Sequence, residues 1–453
     1  MQKYAGIAEA HELELCGSHI SLSSSTPTSC NTIATAVDDI MIKLASSCAS
    51  PPTTRKLLCV NDVCGPANPL CVAFMYLSGQ KEIGESVNVH PSSPLPLMLQ
   101  RVVVVGGADR SVRLYSLHGD GRELARWTLP APVLSLSTHG SVVCAGCMDG
   151  QSVVIDVEAV AAAAAASDKS VEIPVLDLNE ECCVEYRLLR RQAKYVICTQ
   201  FSPDGLLLTT LAHDHSLHVY AAEQAASLSS WTHIATCTLA SAADSLAYLP
   251  CPGITGLQWW RLVVALRDHT HLHSACLPEL PAESTPVLLR MVPFVSLNER
   301  VWDTHAGMQP LLLRTSADHL HLAVSTDKSL AFVLDVSYSG ATSDAVMASE
   351  QEQQRRAQRL YLLSGHSCGS LCRPQLEWDA YGTYLYGSSE GDTAVLVWGV
   401  GSGAPQRRVP IARLVGHKGV VRGIATHRSE SITVTVAFDH KLIVWGPETD
   451  VSV

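Results

Sequence analysis

The chain has 453 residues, of which 47 % are hydrophobic and 17 % charged, and its net charge is −11. That balance belongs to an ordered globular protein. An acidic chain without a long basic run is a poor match for a phosphate-tracking nucleic-acid surface, and no apolar run reaches the roughly 18–20 residues needed to cross a bilayer.

The chain starts with Met1–Leu15, which carries Glu9, Glu12 and Glu14 and lacks the apolar core of a signal peptide. The expectation is an intracellular protein, cytoplasmic or nuclear, whose 16 cysteines are reduced thiols. Many of them, such as Cys59, Cys71 and Cys198, lie in apolar strand-like stretches where cysteine serves as a small hydrophobe. His11–Cys16 reads as a strand, and the Ser-rich stretch 19–29 as a loop.

From there the chain repeats one pattern. A short β-rich run ends in a turn with Asp, a polar residue follows, and a second β-rich run returns. Eight such hairpins are legible: Ile33–Leu44, Val102–Tyr115, Val142–Ile155, Leu206–Tyr220, Leu262–His273, Leu320–Leu334, Thr383–Trp398 and Ile432–Trp445. Leu57–Val60 and Pro69–Tyr76 read as the outer strand of one unit and the inner strand of the next. Inserted segments fall around 156–184, which includes an alanine tract, and around 338–360, where Asp344–Leu360 reads as a short helix or loop.

The last two hairpins share a longer pattern. Gly365-His366 is followed by Ser388, Asp392 and Trp398, and Gly416-His417 by Thr435, Asp439 and Trp445. In both, the hydroxyl residue lies four positions before the Asp and the Trp six after it. This resembles the WD-repeat β-propeller family. The resemblance implies an all-β fold, a closed ring of four-stranded antiparallel blades forming one domain over residues 1–453. Eight blades are favoured by the hairpin count, with seven as the alternative, and His11–Cys16 is expected to supply the outer strand of the last blade.

The resemblance also implies a hydrogen-bond relay in each of these two units: His366, Ser388, Asp392 and Trp398 in one, His417, Thr435, Asp439 and Trp445 in the other. A buried imidazole and carboxylate must be satisfied in this way or cost several kcal/mol each. Earlier hairpins keep the Asp but place Val105, Ala145, Val264 and Ala323 where the hydroxyl belongs, so they must rest on apolar packing. Partner contacts in the family cluster where inner strands begin, which carries over to Tyr195, Ile197, Val420 and Arg422. Asn298–His305, with Arg300 and Trp302, is the densest polar-aromatic stretch and a second candidate contact.

Three patterns have sharper chemical readings. Gly365-His366-Ser367-Cys368-Gly369 matches a hydrolase nucleophile elbow, but a strand-like stretch follows where that motif needs a helix. Cys144 and Cys147 form a CxxC pair without a second pair at zinc spacing. His269, His271 and His273 alternate on one strand face and define the metal-binding alternative. The expectation is a non-catalytic protein–protein interaction scaffold that takes a protein or peptide partner within a larger complex. It uses no cofactor and enters neither nucleic acid nor membrane. The alternative is a propeller-fold enzyme or metal-binding protein using the His269–His273 cluster or a central channel.

Overall fold

The computed structural model describes residues 54–76, 101–119, 121–158, 175–177, 186–223, 231–252, 258–277, 286–298, 307–336, 358–369, 373–391, 393–400 and 409–447. All of them belong to one compact unit, Ser50–Val453. They form seven separate β-sheets. Sheets 1 to 7 begin with the inner strands Pro69–Met75, Val133–His139, Val196–Phe201, Ala243–Pro252, Pro310–Thr315, Leu376–Trp378 and Val421–Thr426. Each then continues outward as an antiparallel meander. This is a seven-bladed β-propeller arrangement.

The expected closed ring of eight four-stranded blades is therefore corrected. The described residues form seven sheets, and sheets 1 and 3 each carry a fifth strand, Val175–Asp177 and Val287–Leu288, added in parallel to the outer edge. Hydrogen-bond ladders stop at the edges of each sheet, so the sheets do not close into a hydrogen-bonded ring. Inner strands of consecutive sheets instead meet through side chains. Seven hairpins, from Val102–Tyr115 to Ile432–Trp445, supply the middle strands of the seven sheets. The hairpin Ile33–Leu44, which raised the count to eight, lies outside the described residues, as does His11–Cys16. The strand paired with the outer edge of Leu442–Pro447 is Thr54–Val60. In the second insertion, residues 358–360 open the strand Gln358–Leu363 of sheet 5 rather than ending a helix or loop.

Local chemistry explains the hairpins. Asp109, Asp149, Asp214 and Asp439 each accept a hydrogen bond from the amide two residues on. The residue after each, Arg110, Gly150, His215 or His440, has φ between 59° and 86°. The carboxylate thus holds a tight turn whose next residue sits in the left-handed region. Between turns the middle strands are apolar on both faces, as in Val102-Val103-Val104-Val105, where every side chain is fully buried. Each face meets a neighbouring sheet. Seven apolar clusters fill the junctions between consecutive sheets, and one joins the Val434 and Val436 side of sheet 7 to the Val103 and Val105 side of sheet 1. Val105, Ala145, Val264 and Ala323 are buried in these layers.

Candidate interaction face and central channel

The inner strands run side by side in one direction. Phe201 N donates to Ser137 Oγ and Ser135 pairs with Thr199, so numbering rises together on both strands. Leu313 N donates to Ser245 Oγ and Thr315 Oγ1 to the Tyr248 carbonyl, with the same sense. All these strands line one cavity of about 1390 Å³. Strand starts lie at one mouth and strand ends at the other.

The backbone defines the register at the first mouth. The Tyr195 carbonyl accepts from His213 N and the Val420 carbonyl from Phe438 N. The same bond marks Asn68, Pro132, Ala242 and Gln309 in four other sheets. Two residues further along each strand lie Leu70, Leu134, Ile197, Asp244, Leu311 and Arg422, all of which line the cavity. Ile197 and Arg422 are among the residues named from the sequence, and the other four are not. Their strands lack the Gly-His register, and only this shared backbone bond aligns them.

The mouth combines apolar and charged groups. Arg422 pairs with Glu390 at 3.3 Å and lies 5.0 Å over the Phe438 ring. Asp244 is held by Arg267 through two hydrogen bonds. Tyr195 stacks on His213 at 4.7 Å, and burial lowers the pKa of that imidazole. Ile197 is only 5 % exposed, so its side chain is wall rather than free surface. Arg373, at the start of sheet 6, reaches the Ile197 carbonyl of sheet 3 at 3.2 Å. Two sheets separate these on the shorter path, so the guanidinium extends across the channel. Deeper inside, Glu377 pairs with Arg314 at 3.2 Å; burial raises the carboxyl pKa despite that partner. Arg300 and Trp302 lie outside the described residues.

The two relays differ. His417 Nδ1 lies 3.0 Å from Asp439, its Nε2 lies 2.8 Å from Thr435 Oγ1, and the Trp445 indole donates to the same oxygen at 2.8 Å. The network assigns the proton to Nδ1. Burial lowers the His417 pKa while Asp439 opposes the shift. In sheet 6 the Trp398 indole donates to the Ser364 carbonyl, and Ser388 Oγ accepts from Gln375 N, so the expected bond from Trp398 to Ser388 is not made. His366 packs edge-on against Trp398, and neither ring nitrogen has a hydrogen-bond partner among the described residues. Burial pushes its pKa down to about 4. Asp392 lies outside the described residues.

The sharper readings are placed as follows. Strand Leu376–Trp378 follows the Gly365–Gly369 stretch, where an elbow would need a helix. Cys144 and Cys147 are buried, and burial raises both thiol pKa values. His273 Nδ1 donates to the His271 carbonyl at 3.1 Å, and burial lowers its pKa to about 4. Among the described residues no group of three or more His, Cys, Asp or Glu is arranged to hold a metal ion. No helix among them is long and apolar enough to cross a membrane. Neither a protein-family model nor a curated protein sequence matches this chain.

Proposed function

We propose that this propeller is a non-catalytic interaction scaffold of the WD-repeat type, which receives a protein or peptide at the mouth where its inner strands begin. The WD-repeat reading is supported by the His417–Asp439–Thr435–Trp445 relay, whose hydrogen bonds join the residues that carried the sequence resemblance. The observation that carries the functional reading is the composition of the mouth. Leu70 and Leu134, half-buried on the adjacent sheets 1 and 2, form an apolar edge, with Arg422 of sheet 7 and Arg373 at the start of sheet 6 beside it. Apolar area provides the driving force for docking, while guanidinium groups provide direction and specificity. A partner segment that places an apolar and an acidic side chain together fits this surface.

The test is affinity purification with mass spectrometry of the full chain against a double variant, Arg373→Glu with Leu134→Asp. Loss of a stoichiometric partner at unchanged melting temperature is the expected result. An unchanged partner list would refute this mouth as the docking face and move attention to Asn298–His305.

A further inference from the structure

Ten cysteines fall among the described residues. For Cys64, Cys71, Cys144, Cys147, Cys198 and Cys237 burial raises the pKa, which makes them inert thiols. One pair is built differently. In sheet 4, Cys251 and Cys276 bring their sulfurs to 3.6 Å, and the Arg261 guanidinium lies 4.0 Å from the Cys251 sulfur. Arg261 is itself held, stacked 5.1 Å over the Phe294 ring. Cys276 is exposed and Cys251 half-buried.

We propose that Cys276, hydrogen-bonded by Cys251 and faced by Arg261, is a thiol-modification site that reacts with small disulfides. The pair is a thiol–thiolate unit: the Cys251 S–H donates to the Cys276 sulfur, and the nearby guanidinium balances the charge. That hydrogen bond, helped by Arg261, lowers the Cys276 pKa to about 6, and the same bond raises that of Cys251. In the reaction, the Cys276 thiolate attacks one sulfur of the small disulfide and a new S–S bond forms. The original S–S bond breaks, and the departing thiolate leaves with the electron pair and takes a proton from solvent.

Cys251 acts as a positioning residue. Its strand and that of Cys276 both pair with Gln258–Leu266, which lies between them. Two strand spacings amount to roughly 9 Å, whereas a disulfide needs Cα atoms within about 7 Å. The mixed disulfide therefore persists rather than resolving onto Cys251.

The test uses the full chain with oxidised glutathione as probe, peptide mass mapping of every cysteine, and alkylation rates from pH 5 to 9. At pH 6.5 a thiol of pKa near 6 holds about 75-fold more thiolate than an ordinary one near 8.5. Its lower nucleophilicity reduces the rate advantage to roughly sixfold. The expected result is a glutathione adduct on Cys276, with a rate profile whose midpoint lies near pH 6. Cys251→Ala should shift that midpoint upward by at least one pH unit, and Cys251→Ser, which keeps a donor, should restore most of the shift. The proposal is overturned if the fastest cysteine is another one, if the Cys276 midpoint lies near 8.5, or if Cys251→Ala leaves the profile unmoved. An intramolecular Cys251–Cys276 disulfide as main product would overturn the positioning role.

Discussion

Thr435→Val probes the relay of sheet 7 directly. Thr435 is fully buried, and its hydroxyl joins His417 Nε2 and the Trp445 indole, each at 2.8 Å. Valine keeps the shape of the side chain and removes the oxygen. The indole N–H and the imidazole lone pair are then both buried without partners. An orphaned buried group costs roughly 1–3 kcal/mol, so two of them predict a loss of about 3 kcal/mol. Thr435→Ser is the control, because it keeps the hydroxyl and loses one methyl, at about 1 kcal/mol. Urea unfolding followed by tryptophan fluorescence measures both, since Trp445 reports from within the relay. The reasoning fails if Thr435→Val is as stable as Thr435→Ser or more so, because the relay would then add nothing beyond packing.

Three further outcomes are expected. Burial pushes His366 and His218 down to about 4, while unfolded imidazoles titrate near 6.5. The unfolded chain therefore binds more protons between these values, so stability present above pH 6.5 is lost as pH falls toward 4, by about 2 kcal/mol per group at pH 5. Urea midpoints at pH 7 and 5 check this, and a His366→Gln chain with an unchanged slope would contradict it. Arg113 is 7 % exposed and pairs with both Asp109 and Glu123. Arg113→Leu removes two charge-assisted contacts, while Glu123 keeps Arg126 at 2.8 Å and Asp109 keeps the Ser111 amide and hydroxyl, so it should cost about 2–3 kcal/mol; a loss under about 1 kcal/mol in urea unfolding would mean that water takes the place of the guanidinium. Gly150 has φ of +86°, and a Cβ there would meet the Gln192 carbonyl at 2.1 Å. Gly150→Ala should lower stability by more than about 2 kcal/mol, and a neutral melting temperature would refute that close approach.

The hairpins were legible because their cause is local. An Asp that caps the amide two residues on, followed by a residue at positive φ, is written within a few positions of the chain. The His417 relay follows its residue pattern, whereas the same Asp-to-Trp spacing in the Gly365-His366 copy does not produce the Trp398–Ser388 bond. The Trp398 partner was not legible, because the indole bonds a backbone carbonyl, that of Ser364, which every residue carries and no side-chain pattern marks. The pattern also runs past what it can support: the extra hairpin Ile33–Leu44 implies an eighth blade, and His11–Cys16 is the strand it offers for the last edge. Thr54–Val60 occupies that edge instead, through a ladder to residues almost 400 positions away.

By itself, the sequence determined strands, turns and the all-β class, because period, turn chemistry and β-branched runs act over a few residues. Tertiary structure decided the number of sheets, the donor of the last edge, and the mouth at which Leu70, Leu134, Asp244, Leu311 and Arg373 join Arg422. The reason is physical. Those residues come from separate sheets, and their proximity depends on side-chain packing between inner strands, which no local spacing encodes. The thiol pair belongs to the same category: Cys251 and Cys276 are 25 positions apart, and the folding of sheet 4 brings their sulfurs to 3.6 Å.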